Sequence, residues 1–111
     1  MGYTRLNPIL DSFDYTGTAT VSNSVQLLKS AGTLAGTWLI FASVSNEQST
    51  TVPLQCRVLC SVTGLVLAKD DIGKSEMNLL TLFVKDENVA LYSYCPSSNS
   101  ASWRFKGVRL A

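Results

Sequence analysis

The chain has 111 residues, of which 46% are hydrophobic and only 15% are charged, and its formal net charge is +1. This length suits one hydrophobic core but not two, and the scattered basic residues exclude the clustered positive charge that binds nucleic acid. No window approaches the roughly 20 apolar residues that cross a bilayer, so no membrane insertion is expected, and the shortage of charge suggests that other chains cover part of the surface.

The first segments along the chain indicate an arm followed by short strands. Residues 1–15, with Pro8 and two acidic residues, look like an extended N-terminal arm rather than core. Residues 16–21 and 25–29 predict two short strands separated by a polar step. Gly32 and Gly36 then predict a turn between these strands and the next element.

Residues 37–44 predict a central strand, because both of its faces are largely apolar. One face carries Trp38, Ile40, Ala42 and Val44. The other face carries Leu39, Phe41 and Ser43. A strand of this kind is covered on both sides.

The clearest alternation in the chain follows a polar loop at residues 45–51. Within residues 52–62 every even-numbered residue is apolar: Val52, Leu54, Cys56, Val58, Cys60 and Val62. This pattern predicts a strand with one buried face. Residues 65–68 predict another short strand after Gly64.

The last third of the chain predicts a loop, a hairpin and a final strand. Residues 69–76 hold most of the local charge and are expected to form an exposed loop. Residues 77–84 and 89–95 predict a hairpin through a turn at residues 85–88. After a serine-rich loop at residues 96–102, the last strand is expected to have a bulge at Gly107. Three aromatic residues are predicted to lie in the core: Trp38, Phe83 and Phe105.

Taken together, these segments give about eight short strands at regular spacing with no helix. The predicted fold is all-β, an antiparallel β-sandwich of jelly-roll-like form. We assign residues 1–15 to the arm and residues 16–111 to the sandwich domain.

Two segments resemble those of trimeric jelly-roll heads, the fold of complement-collagen globular heads and tumour necrosis factor. A version of this fold closes many bacteriophage tail fibres and receptor-binding proteins. In such heads a Gly-Thr-Trp motif opens a central strand, as Gly36, Thr37 and Trp38 do here. Phage versions often end shortly after an aromatic, basic and apolar strand, which resembles residues 103–111. The resemblance covers about the last 85 residues, and its motifs are short.

The resemblance implies a homotrimer within a virion, made in the host cytoplasm, whose partners are other virion proteins and a host cell-surface receptor or glycan. Tyr92 and Tyr94 share one strand face, where two aromatics form either a packed subunit interface or a sugar-stacking platform. We favour subunit packing. The candidate trimer interface comprises Leu39, Phe41, Tyr92 and Tyr94.

Three loops, at residues 46–51, 69–76 and 97–102, are the expected contacts with a host receptor, because loops vary without disturbing a rigid scaffold. The candidate residues are Asn46, Gln48, Ser49, Asp70, Asp71, Lys74, Ser97 and Asn99. A fibre head normally follows a long shaft, whereas this chain offers at most a short arm. The alternative is therefore a capsid decoration, head-fibre or collar/connector protein with a purely structural role.

Catalysis is not expected, because the chain has no histidine and hence lacks the usual general base. The pairs Asp70–Asp71 and Asp86–Glu87 are interpreted as solvated loop charges, although an unrecognised carboxylate pair is a third hypothesis. The three cysteines of the chain form no CxxC motif, so no metal site and no cofactor are expected. The cysteines are interpreted as small buried side chains of a reduced protein.

Overall fold

The computed structural model describes residues 11–21, 25–46, 54–60, 63, 66–72, 77–94 and 99–111. These residues form six strands in one antiparallel sheet with the order β1-β6-β2-β5-β3-β4. The strands are β1 (Ser12–Val21), β2 (Gln26–Asn46), β3 (Leu54–Cys60), β4 (Val66–Ile72), β5 (Met77–Tyr94) and β6 (Asn99–Arg109). The all-β, antiparallel prediction is confirmed.

The two longest strands, β2 and β5, form a ribbon whose pairing is irregular near its middle, and we call this irregular segment the bend. Their pairing shifts register at three places, the last between Leu34 and Thr37. There Gly36 has φ 91°, and Asp86 on the opposite strand has φ 51°, both in the left-handed region. The backbone N–H of Gly36 donates to Asp86 Oδ1 at 2.7 Å. This hydrogen bond ties the two strands together at the bend.

The bend divides the sheet into two halves. The β1 half contains β1 and β6 together with residues 37–45 of β2 and residues 77–85 of β5, which pair with each other. The β4 half contains the rest of β2 and β5 together with β3 and β4. One face of each half is apolar, and these faces form a single core cluster: Val21, Leu34, Trp38, Ile40, Ala42, Val44, Val58, Val84, Val89, Leu91, Ala101 and Phe105.

Two glycines allow aromatic rings to lie against the backbone between β1 and β6. The ring of Trp103 lies over its cross-strand partner Gly17, where an added Cβ would approach Trp103 Cζ2 to 2.6 Å. The ring of Phe13 covers its partner Gly107 in the same way. Phe13 also stacks edge-on against buried Phe105, with ring centroids 5.2 Å apart. β1 is therefore held to β6 by packing as well as by hydrogen bonds.

Several predicted strand patterns are confirmed by burial. In the strand predicted at residues 37–44, the face that carries Trp38 is buried, whereas the face that carries Leu39 and Phe41 is only partly buried. Val58 and Cys60 of β3 are buried as the alternation predicted, and Phe105 is fully buried. Phe83, in contrast, is 68% exposed, so its prediction as a core residue is wrong. It lies on the same side of β5 as Leu79 and Thr81, whereas Val84 faces inward.

The predicted hairpin at residues 77–95 is wrong, because β5 continues through residues 85–88 as one strand. The turn expected at Gly32 and Gly36 is likewise absent, since both glycines lie within β2 and accommodate its register shifts. Each long strand had been predicted as two, which explains why about eight strands were expected and six are described. Gly107 forms no bulge, because the β6 register runs through it without a shift.

The predicted boundary at residue 15 falls inside β1, which begins at Ser12. The rest of the predicted arm, residues 1–10, lies outside the described residues. β1 follows directly from Asp11, whose backbone C=O accepts a hydrogen bond from the N–H of Arg109 at 2.8 Å. Residues 11–15 are thus part of the sheet.

Candidate interaction surface

The outer face of the β1 half carries an unusually apolar group of side chains. Leu39 pairs with Phe83 across β2 and β5, Phe41 pairs with Thr81, and Ser43 pairs with Leu79. Leu79 and Phe83 are 62% and 68% exposed, whereas Leu39 and Phe41 are partly buried. We call Leu39, Phe41, Leu79 and Phe83 the outer patch. Large apolar side chains grouped on a surface are typical of a site that another molecule covers.

A shallow depression of about 180 Å³ lies at one side of this patch. Its lining combines Phe41, Ser43 and Leu79 with two basic side chains of β6, Arg104 and Lys106. The depression therefore offers an apolar floor with a basic rim.

One of these basic groups is already paired within the chain. Arg104 binds Asp14 of β1 through two hydrogen bonds, Nε to Oδ1 at 2.9 Å and Nη2 to Oδ2 at 2.5 Å. The bond from Arg104 holds the pKa of the Asp14 carboxyl below its usual value, and the same bond raises the pKa of Arg104. Both side chains are exposed, so water and salt screen this pair.

A free strand edge borders the outer patch. β5 pairs with β2 along its whole length, but β3 covers its other side only between Val89 and Tyr94. No described strand pairs with that side of β5 between residues 77 and 85. The exposed patch and the open edge are therefore parts of one continuous surface.

A second concavity, of about 350 Å³, lies between β1 and the first part of β2. Phe13, Tyr15 and Trp38 line it together with Arg109. The Phe13 ring stacks on Tyr15, with 5.5 Å between centroids, and lies tilted against Trp38 at 5.7 Å. The ammonium group of Lys29 lies 4.4 Å from the Tyr15 ring centroid. Because these groups already contact each other, the groove is part of the packing that holds β1 over β2.

The predicted trimer-interface residues do not form one surface. Leu39 and Phe41 lie together in the outer patch of the β1 half. Tyr92 and Tyr94 lie on the outward side of β5 in the β4 half, opposite buried Leu91, as predicted. Tyr94 is covered there by the guanidinium group of Arg57, 5.7 Å from its ring centroid. The structure therefore joins the first pair with Leu79 and Phe83, not with the tyrosines.

Several residues predicted in contact loops lie in strands instead. Asp70 and Asp71 lie in β4 and pair with Cys56 and Gln55 of β3, so the loop expected at residues 69–76 is wrong for its first part. Asn46 and Asn99 are likewise strand residues, at the end of β2 and the start of β6. Four other candidates lie outside the described residues: Gln48, Ser49, Lys74 and Ser97.

Sequence reasoning missed Leu79 and Phe83 as surface residues. Residues 79–84 are apolar at both parities except for Thr81, so alternation could not say which parity faces the core. The only available signal was Thr81, which shares its face with Leu79 and Phe83. That polar residue marks the outward side.

The described residues contain no cluster of side chains suited to a metal ion. No group of three His, Cys, Asp or Glu side chains that could hold a metal ion occurs among them. Cys60 is a buried thiol, and Ser93 is a buried hydroxyl. In the part of the chain that the structure describes, no helix has the length and apolarity to span a membrane.

Comparison with known proteins identifies no family from sequence. No family model matches the chain, and no curated protein matches it. Solved structures do match in fold. A chain from Bacillus endospore appendages, a family of disulfide-linked pili, gives a TM-score of 0.70 at 7% identity, covering 99% of this chain and 97% of that one.

Two viral structures are also similar. A chain from the acid-stable capsid of Helicobacter pylori bacteriophage KHP30 gives a TM-score of 0.64 at 9% identity, covering 94% of this chain and 92% of that one. A VP2 chain from a subviral particle of infectious bursal disease virus gives 0.59 at 12% identity, covering 99% of this chain but only 37% of its own length. At these identities the matches establish a shared fold, which supports the jelly-roll-like prediction.

Proposed function

We propose that this protein is a structural subunit that works by assembling with copies of itself and with other subunits of a particle or filament. One observation carries the proposal: Leu79 and Phe83 stand 62% and 68% exposed beside an open strand edge. Burial of apolar surface stabilises by about 25 cal/mol per Å², so a second molecule that covers these side chains gains free energy. Contact with water alone does not stabilise large apolar side chains at exposed positions.

The structural comparisons support this proposal at the level of fold. The three similar structures are described as pili, a phage capsid and a subviral particle, all of them ordered assemblies. A fold does not by itself determine a function. The exposed apolar side chains of the outer patch are specific to this chain, and they support assembly independently of the shared fold.

Within this function, we interpret the two halves of the sheet as the two layers of a jelly-roll-like sandwich in a virion protein. The homotrimer implied by the sequence resemblance is one form of such an assembly, with Leu39 and Phe41 at the contact. A more specific proposal within this function is that the protein attaches to the host through a receptor or glycan. The alternative is a purely structural role as a decoration or collar protein. Binding of the purified protein to host cells distinguishes them, since only the attachment role requires it.

Assembly is tested by sedimentation velocity over a wide concentration range, together with electron microscopy of the concentrated protein. We expect species larger than the monomer. The variant L79S/F83S should stay monomeric at concentrations where the wild-type protein associates, because it removes exposed apolar area without disturbing the core.

The matched control is Leu27→Ser. Leu27 is 51% exposed on the outer side of the β4 half, so this variant removes one exposed apolar side chain away from the outer patch. It should associate like the wild-type protein. A wild-type protein that is monomeric at every concentration would contradict the proposed function.

A further inference from the structure

The β5 edge, which is open among the described residues, lacks the side chains and irregularities that protect strand edges in most proteins. Natural edges are shielded by charged residues, proline, bulges or very short length. Residues 77–84 contain no charged residue, no proline and no glycine. The pairing of β5 with β2 also runs without a register shift from Lys85 to Met77. The edge is therefore regular, long and apolar, which is the form that adds another strand.

The edge is also complementary to itself. Side chains of similar size and polarity lie at equal distances on either side of Thr81: Leu80 and Leu82 are next to it, followed by Leu79 and Phe83. An antiparallel copy related by a two-fold axis through Thr81 places Leu79 opposite Phe83 of the second copy. Directly opposed Cβ atoms in antiparallel strands lie about 4.5–5.5 Å apart, so these two exposed side chains would cover each other.

The charges near the edge permit this arrangement. Lys85, at the end of the segment, lies opposite Met77 of the second copy in this register, so no like charges meet. Arg104 and Lys106 are on β6, which is separated from β5 by β2 and hence by roughly 10 Å. The centre of the contact is neutral, with Thr81 facing Thr81 of the second copy.

We infer that the occupant of this edge is a second copy of the same chain, paired antiparallel through residues 77–85 about a two-fold axis at Thr81. The inference rests on the proposed assembly function and specifies one pairwise contact of that assembly, separate from the trimer contact at Leu39 and Phe41. Pairing joins the β1 halves of two molecules into one eight-stranded sheet, in the order β1-β6-β2-β5-β5-β2-β6-β1. Nine paired residues correspond to a contact about 30 Å long.

Thr81→Lys tests this contact directly, because it places two ammonium groups opposite each other at the axis. Thr81 is exposed, so the fold of the monomer should be unchanged, as circular dichroism can verify. We expect the dissociation constant of the dimer, measured by sedimentation equilibrium, to increase about tenfold or more. The matched control is Thr18→Lys, an exposed threonine on the outer side of β1.

Mixing two variants provides the decisive measurement. Thr81→Glu alone should also fail to pair, whereas an equimolar mixture of the T81K and T81E proteins should restore dimers, because opposite charges then meet at the axis. Restoration requires residue 81 of one copy to face residue 81 of the other. A contact between two different edges does not predict it.

The remaining outcomes overturn the inference without ambiguity. If the T81K protein associates as the wild-type protein does, the contact lies elsewhere, and the assembly function survives without this edge. If T18K and T81K both abolish association and mixing restores nothing, the β5 edge pairs with β1 in a head-to-tail chain. A wild-type protein that never associates refutes the proposed function itself.

Discussion

The two edges of the β1 half differ in the side chains that they present to solvent. On β1 the outward side chains include Asp14, Thr16 and Thr18, and Asp14 is paired with Arg104. On β5 they are Leu79, Thr81 and Phe83. Among the described residues, the β1 half thus has a polar edge at β1, with an ion pair inside the chain, and an apolar edge at β5, with no strand paired on its other side. The difference teaches that exposure alone is a weak guide to an interface, and our proposal rests on the coincidence of apolar exposure with an edge that carries no protecting residues.

The largest effect that separates the two edges is expected from removing one phenylalanine on each. Phe13→Ala should lower the free energy of unfolding by about 3 kcal/mol, because the ring packs on Gly107, Trp38 and Phe105. Phe83→Ala should change it by no more than about 0.5 kcal/mol, since the ring is exposed. Urea denaturation of dilute, monomeric protein measures both. Equal losses would contradict the distinction between the edges.

A smaller effect is expected at the glycine beneath Trp103. Gly17→Ala should cost about 1–3 kcal/mol, because the new Cβ cannot coexist with the ring in its present position. Thr18→Ala, one residue away and exposed, should be nearly neutral. Thermal unfolding followed by circular dichroism compares the two. If the glycine variant were as stable as the threonine variant, β1 would not be held by this close packing.

The smallest effect concerns the ion pair on β1. Because Arg104 lowers the folded-state pKa of Asp14, the pair stabilises the protein at pH values above the unfolded pKa of the carboxyl group. That contribution is lost as the pH falls through the lowered folded-state value. The stability difference between the wild-type protein and the D14N protein should therefore disappear in acid and shrink in high salt.

A double-mutant cycle with Arg104→Gln isolates this ion pair from other effects of each substitution. We expect the coupling between positions 14 and 104 to follow the same pH and salt dependence. A coupling that persists in acid would show that the carboxylate charge is not its source.

The sequence predicted the inner surfaces of the fold better than its connections. The alternation in β3 identified Val58 and Cys60 as buried because the other parity carries polar residues such as Arg57. Around Trp38 both faces are apolar, so the sequence showed that the strand is central but not which face is inner. The segment from Lys85 to Asn88 has the composition of a hairpin turn, yet it forms a bend within one strand. Asp86 adopts positive φ and accepts the Gly36 N–H there, and that partner is 50 residues away along the chain. The composition of residues 85–88 alone cannot predict a hydrogen-bond partner so distant in sequence.

The candidate surface could be predicted only in part for a related reason. Leu39 and Phe41 were expected at an interface because both faces of their strand are apolar. Leu79 and Phe83 lie beside them only because β5 pairs with β2 in the observed register. A one-residue shift of the register would exchange the inner and outer faces of β5. Because residues 79–84 are largely apolar on both faces, their sequence is compatible with either register.

The pairing of β1 with β6 has a consequence for the order in which the chain folds. Ser12 pairs with Val108, so the strand that leaves the ribosome early can form its ladder only when nearly the whole domain has been made. Until then Phe13 lacks its partners in β6, the ring of Phe105 and the backbone at Gly107. Long-range pairing of this kind slows folding, and here the closure of β1 onto β6 is expected to be a late event in biosynthesis.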